Sequence, residues 1–289
     1  MVLALIIALL TAGCGTPLID GDTKSPSQPG SDQRSPLTGL LAACDGFFTA
    51  TDEHSCLMFG PISDRLTPIM VGAESGRVCI PSSYHLPEDI VPNGLGTMAW
   101  TDSHLWFCGG ETTRPDSPAA KHIFRLDLND QRIDRLDLNC LGVSHDAGRF
   151  WVDKNVGFGV LHAYDSWDDL VLGRLSDEFV ASNNHVAFDI YQSRLYSSWT
   201  FAGETFVDDL SAKMPLDSIL LSPDKDLRVD GFSVPSSNTL VVLSNRNQGR
   251  DEWALHHFNR LGEQSVGVSL KDIGASMPFW RGLECKALP

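Results

Sequence analysis

Gly96-Thr97-Met98-Ala99-Trp100-Thr101-Asp102-Ser103-His104-Leu105-Trp106-Phe107 reads as a short apolar strand, a polar turn and a second apolar strand. The arrangement returns at 142–154 (GVSHDAGRFWVDK), 185–199 (HVAFDIYQSRLYSSW) and 231–245 (GFSVPSSNTLVVLSN). The apolar pairs at its centre, Leu105-Trp106, Phe150-Trp151, Leu195-Tyr196 and Leu240-Val241, follow one another in steps of 45 residues. The turns carry Asp, Ser, Asn and Gly, which hairpins favour. The strands are rich in Val, Leu, Phe, Tyr and Trp, which fit a pleated, half-buried surface. A repeat of this length marks a modular architecture.

Working outward, two more alternating strands follow the first unit in HIFRLDLNDQRIDRLDL (122–138) and the fourth in ALHHFNRLGEQSVGVSL (254–270), with Phe124 and Phe258 in equivalent places. Four short antiparallel strands per 45 residues make one propeller blade. An earlier unit is read in LLAACDGFFTATD (40–52), with Phe47-Phe48 as its apolar pair, followed by a Pro-rich connection at 75–92. The tail MPFWRGLECKALP (277–289) supplies one further strand, which closes the ring. The expected fold is all-β, a propeller of five four-stranded blades, with six as the alternative count. MAWTDSHLWF followed by IFRLDLNDQRIDRLDL resembles the blades of bacterial NHL-like and YVTN-like propellers. That resemblance implies architecture and is silent on activity, because one fold hosts many functions.

The N-terminus carries a different message. Val2 to Leu10 is an uninterrupted apolar run. It is too short to span a bilayer, which takes roughly 20 residues, and has the length of a signal-peptide core. Leu10-Thr11-Ala12-Gly13-Cys14 resembles the bacterial lipobox, with Thr11 where that motif usually has Leu; an ordinary secretory signal is the alternative. The resemblance implies cleavage before Cys14, lipidation of Cys14 and a place in the cell envelope, with Gly15 after the cysteine pointing to the outer membrane of a Gram-negative host. Gly15 to Pro36 holds four Pro, four Ser and three Gly and almost no large apolar side chain, the composition of a flexible tether. The chain thus divides into a signal (1–13), an anchor cysteine with tether (14–37) and a propeller body (38–289).

Thirty-seven acids against 22 bases give a net charge of -15. Such a surface repels phosphate backbones, so nucleic acid is not an expected partner. Besides Cys14 there are Cys44, Cys56, Cys79, Cys108, Cys140 and Cys285. An even set in an exported chain suggests disulfides, and sequence does not choose among the fifteen pairings. If the tail closes the ring, Cys44 and Cys285 meet at the seam; the rival is a local Cys44–Cys56 pair.

Catalytic motifs are weak. Asn93-Gly94-Leu95-Gly96-Thr97-Met98-Ala99 contains a GxGxxA string but leads into a strand, where a dinucleotide fingerprint needs a helix. His256 and His257 would point to opposite faces of a strand, so they do not chelate one ion together. His104, His145 and Asp146 fall at strand-joining turns. Asp224, Asp226 and Asp230 have loose calcium-loop spacing without its central Gly. Asp168-Asp169 and Asp208-Asp209 are read as surface charge in loops. Trp106 and Trp151 lie on the repeat register; Trp100, Trp167, Trp199, Trp253 and Trp280 lie off it. The expectation is a non-enzymatic module with no resident cofactor, held to the membrane by its lipid anchor and docking a protein or a glycan. The alternative is a calcium-dependent hydrolase or lyase resembling lactonase-like propellers, for which the inner strands offer Asp189 and His145, with Asn184 and Asp230 at their edges.

Overall fold

The computed structural model describes residues 39–62, 65–81, 85–92, 97–101, 103–111, 122–154, 160–180, 187–210, 218–221, 229–245, 253–270 and 281–289. The first element is a short helix, α1 (Gly39–Ala43). Blade one follows with β1 (His54–Ile62), β2 (Arg65–Gly72) and β3 (Val78–Cys79). Blade two holds β4 (Ile90–Pro92), β5 (Ala99–Trp100), β6 (His104–Glu111), β7 (His122–Asp127) and β8 (Ile133–Asp137). Its inner edge is divided, with β4 and β5 pairing different stretches of β6. Blade three holds β9 (Gly142–Asp146), β10 (Arg149–Asp153), β11 (Val160–Tyr164), a helix α2 (Trp167–Leu172) and β12 (Asp177–Val180). Blade four is β13 (Ala187–Tyr191), β14 (Arg194–Phe201), β15 (Glu204–Asp209) and β16 (Ile219–Leu221). Blade five is β17 (Val229–Ser236), β18 (Thr239–Asn245), β19 (Trp253–Phe258) and β20 (Gln264–Ser269). The last strand, β21 (Arg281–Ala287), returns to pair antiparallel with β1 and completes blade one.

The body is therefore a five-bladed propeller, and the 45-residue register is the register of second strands. Leu105-Trp106, Phe150-Trp151, Leu195-Tyr196 and Leu240-Val241 lie in β6, β10, β14 and β18. Side chains on the blade faces meet those of the next blade, and each of the five junctions holds its own apolar cluster. Phe59, Phe107 and Phe124 fill the junction of blades one and two, and Phe232, Val242 and Phe258 that of blades four and five. Three hairpin turns, Ala147-Gly148, Gln192-Ser193 and Ala202-Gly203, have positive φ at both central residues. That is the type I′ geometry whose twist matches the flanking strands.

The segment 40–52 is a correction. It is not a strand pair: α1 and a run of turns occupy it, and Phe47 is exposed. The inner strand of blade one is β21, so the first blade is assembled from both ends of the domain. The cysteines follow from this. Cys56 stands opposite Cys285 in the β1–β21 pairing and is bonded to it, while Cys44, carried past the end of α1, bonds Cys79 of β3. The seam disulfide exists, then, but with Cys56 in place of Cys44, and the local Cys44–Cys56 pair is not formed. The third bond joins Cys108 and Cys140. Cys56 and Cys285 are 229 residues apart; closing so long a loop removes roughly 5 kcal/mol of chain entropy from the unfolded state. Three disulfides fit an extracytoplasmic location.

Two acidic pairs also sit differently from expectation. Asp168 and Asp169 open α2, where acids favour the helix dipole, behind the N-cap Ser166. Asp208 and Asp209 lie in β15 and are engaged: Asp208 is buried and accepts the Ser218 hydroxyl at 2.5 Å, and Asp209 pairs with Arg194. Cys14 and the tether, Asn93 to Gly96, Asn184, Asp224, Asp226 and Trp280 lie outside the described residues. Among the described residues no helix is long and apolar enough to cross a membrane.

Candidate functional site

Opposite Trp106, Trp151, Tyr196, Val241 and Leu57 of the second strands stand Ala99, Ser144, Asp189, Ser233 and Glu284, one residue from each blade's inner strand. Asp189 is at the centre of this layer and is fully enclosed. Its Oδ1 accepts the Ser144 hydroxyl at 2.6 Å and the Ile190 amide at 2.8 Å. Its Oδ2 accepts the Val234 amide at 2.7 Å and the Ser233 hydroxyl at 3.0 Å. The Ser233 hydroxyl in turn accepts the Cys285 amide at 2.9 Å. One carboxylate thereby ties β9, β13, β17 and β21 together.

Glu284 lies beside this network without sharing its donors. Its Oε2 is buried and has no hydrogen-bond partner among the described residues. Burial pushes the Glu284 carboxyl well above the usual range, and the charges of Asp189 and Asp146 add to the effect while Lys286 opposes it. Burial also raises Asp189, against the pull of its donors. Asp189 has four donors to hold a negative charge whereas Glu284 Oε2 has none, so Glu284 is the member of the pair that keeps its proton. Lys286 is anchored nearby, its Nζ donating to the Trp100 carbonyl at 2.6 Å and lying 4.8 Å from the centre of the Trp100 ring.

The layer gathers two carboxyl groups and two hydroxyls. Both oxygens of the better-placed carboxylate already take two protein donors each. Ligation of a cation by Asp189 would require breaking bonds between blades. Of the other residues expected near the axis, Asp230 is buried in β17, and His145 is the penultimate residue of β9, where it stacks on Trp106 at 5.8 Å. His104, at the start of β6, lies on the same indole at 5.5 Å. The two histidines thus flank a buried tryptophan beside the turn ends of blades two and three. His256 and His257 do face opposite ways: His256 Nδ1 meets Gln264 at 3.1 Å, and His257 Nδ1 lies 3.8 Å from Glu74 of blade one.

A second feature lies on the outer rim of blade three. Ser166 caps α2 through a hydrogen bond from the Asp169 amide, and Gly173 ends it with a left-handed φ of 66°. Leu170 turns inward and is buried, whereas Val171 is 46%, Leu172 64%, Leu175 47% and Val180 62% exposed. These four aliphatic side chains fall within ten residues, at the end of α2, in the following connection and on the edge strand β12. Asp177 and Glu178, both exposed, stand between Leu175 and Val180 at the start of β12. Two signals in the chain could have found it: VLGRL (171–175) is a poor solvent-facing segment, and the acids before it are helix-opening residues.

No protein-family model matches the chain, and no curated protein matches it. Among solved structures it is similar to the hydrazine synthase of Kuenenia stuttgartiensis, at 12% identity and a TM-score of 0.38, over 66% of this chain and 53% of that one. It is similar to a protein of unknown function from Bacteroides caccae at 10% identity and a TM-score of 0.46, over 80% of this chain and 98% of that one. It is similar to the glutaminyl cyclase of Myxococcus xanthus at 8% identity and a TM-score of 0.40, over 62% and 74% of the two chains. The chain spans about half the length of the hydrazine synthase chain.

Proposed function

We propose that this is an exported, lipid-anchored propeller that docks another protein on the rim of blade three. The observation that carries the reading is the exposed aliphatic group Val171, Leu172, Leu175 and Val180. Exposed aliphatic side chains with acids among them are the composition of a protein-binding patch, which combines apolar contact with a polar edge. An anchor at Cys14 and a tether to residue 37 would give such a module reach, by the ~5–6 Å × √n rule about 25 Å. The axial layer serves in this reading as a structural tie. A glycan has one observation in its favour: on blade four Trp199 stacks on Phe206 at 4.6 Å, with exposed Phe201 beside them. Aromatic faces of that kind suit sugars.

Full-length protein recovered from detergent-solubilised envelopes of its own host distinguishes the two. The expected result is a co-purifying protein held equally by wild type and by Phe201→Ser, and lost from a Leu172→Ser, Val180→Ser double variant. Retention by the double variant with loss from Phe201→Ser overturns the rim of blade three in favour of blade four.

A further inference from the structure

Three titratable side chains converge where blade one meets blade five, away from both features above. His54 begins β1, Glu74 sits in the turn between β2 and β3, and His257 is the penultimate residue of β19. One ligand atom from each lies within 4.8 Å of the other two. His54 Nδ1 is 2.7 Å from Glu74 Oε1, and His257 Nδ1 is 3.8 Å from the same oxygen. The two imidazoles are 4% and 2% exposed, and His257 Nε2 is buried with no hydrogen-bond partner among the described residues.

The carboxylate is aimed by its surroundings. Glu74 Oε2 accepts the amides of Glu53 and His54 at 3.0 and 3.2 Å, which leaves Oε1 toward the histidines. The turn that carries Glu74 is fixed in its turn by buried Asp52. That side chain accepts the Ser75 amide and hydroxyl, both at 2.9 Å, and the Thr49 amide at 2.7 Å. Gly76 lets the same turn lie against β20, since a Cβ there would come within 2.4 Å of Val268. A carboxylate oriented by outer contacts already made is what a metal centre needs.

We propose that His54, Glu74 and His257 form a site for one divalent transition-metal ion, of which zinc is the best match, at the junction of blades one and five. Two imidazoles and a carboxylate are ligands of that class, whereas calcium and magnesium take oxygen. Ligands about 2.0–2.1 Å from a tetrahedral ion stand about 3.3 Å apart. The His54–Glu74 contact therefore opens, and the His257–Glu74 contact closes, each by about half an ångström. The ion replaces the proton that bridges His54 and Glu74, and it joins β19 to the blade closed by β21. It acts beside the Cys56–Cys285 bond, two residues along β1.

Untagged full-length protein is stripped with a chelator and titrated with Co²⁺, then with Zn²⁺ in competition. The expected result is one equivalent of Co²⁺ with visible absorption of four- or five-coordinate strength, displaced by Zn²⁺. Zinc at a hundredfold excess over Kd raises the thermal midpoint by about 5–10 °C. His257→Gln and Glu74→Gln each weaken binding by at least about 100-fold and remove the thermal shift; His162→Gln, on blade three, changes neither. If His257→Gln does not fold, Glu74→Gln decides, because Glu74 is only partly buried and keeps its shape. The proposal fails if wild type shows no single-equivalent binding tighter than about 100 μM, or if both Gln variants keep the cobalt spectrum.

Discussion

At the axis, Asp189 and Glu284 are buried although each carries a carboxyl group. On the rim of blade three, Val171, Leu172, Leu175 and Val180 lie in water although none carries a polar side-chain atom. The two regions depart from the usual inside–outside arrangement in opposite directions, and they differ in whether the departure is compensated. Asp189 is matched by two amides and two hydroxyls from its own chain. The aliphatic group on the rim has no such match within the described residues. A buried polar group that is fully bonded explains itself through stability. An exposed apolar group costs solubility, and a partner that covers it is the balancing gain.

Removing the compensation at the axis gives the largest expected effect. Asp189→Ala leaves the Ser144 and Ser233 hydroxyls and the Ile190 and Val234 amides without their common acceptor, between three blades. Breaking a buried charged network of this kind costs about 3–5 kcal/mol. Denaturant unfolding with the disulfides intact should show that loss, and a smaller one for Asp189→Asn, whose amide oxygen keeps part of the donor set. A loss below about 1 kcal/mol for Asp189→Ala would mean that the axis is not the tie described, and the contrast with the rim would collapse.

The next effect is a slope with pH. The folded state holds the Glu284 proton at pH values where the unfolded chain has lost it, because burial and the Asp189 charge raise the folded value. The folded state then binds more protons than the unfolded one, so stability falls as pH rises. The fall begins near the ordinary carboxyl range, about 4.3, and ends at the raised folded value. Within that window one proton contributes at most about 1.4 kcal/mol per pH unit. Glu284→Gln removes the part of the slope that Glu284 contributes, leaving that of Asp189, and is more stable than wild type at neutral pH. Below that range both proteins weaken together. Asp52 contributes there: its hydrogen bonds to Thr49 and Ser75 outweigh the effect of burial and hold its carboxylate low, and that stability disappears as it is protonated. Superimposable profiles from pH 4 to 8 would show that Glu284 is not the buried acid of the pair.

What could be read from the chain follows the same division. The second strands were legible because each is sequence-local, a hairpin with an apolar pair repeated every 45 residues, and Asp189 was visible because it sits in one of those hairpins. Glu284 was not, since its strand finds its partners only when β21 crosses to β1 at the other end of the domain. The same closure hid the correct seam pair. Cys44 looked like a strand residue because LLAAC is apolar, yet five residues of helix and a Gly46 turn satisfy that segment locally. His54, Glu74 and His257 are 20 and 183 residues apart in sequence, and no local pattern joins them. The rim of blade three was misread through its acids: Asp168 and Asp169 suggested surface charge in a loop, and they are instead the first turn of α2.

The smallest expected stability effect belongs to the rim, and its smallness is the point. Leu172→Ser and Val180→Ser replace side chains that already face water, so the isolated protein should change by no more than about 0.5 kcal/mol. Leu170, two residues before Leu172 on α2, is the internal control. It is buried against the Phe150 and Val152 cluster of blade three, and truncating a buried Leu costs about 2–5 kcal/mol. The same assay therefore has to separate opposite faces of one six-residue helix. If Leu172→Ser destabilises the monomer as strongly as Leu170→Ala, then Leu172 packs within the chain, the rim is compensated like the axis, and the aliphatic group ceases to call for a partner. If both rim variants unfold like wild type, remain more soluble at high concentration, and lose the co-purifying protein, the exposed hydrocarbon is maintained for binding.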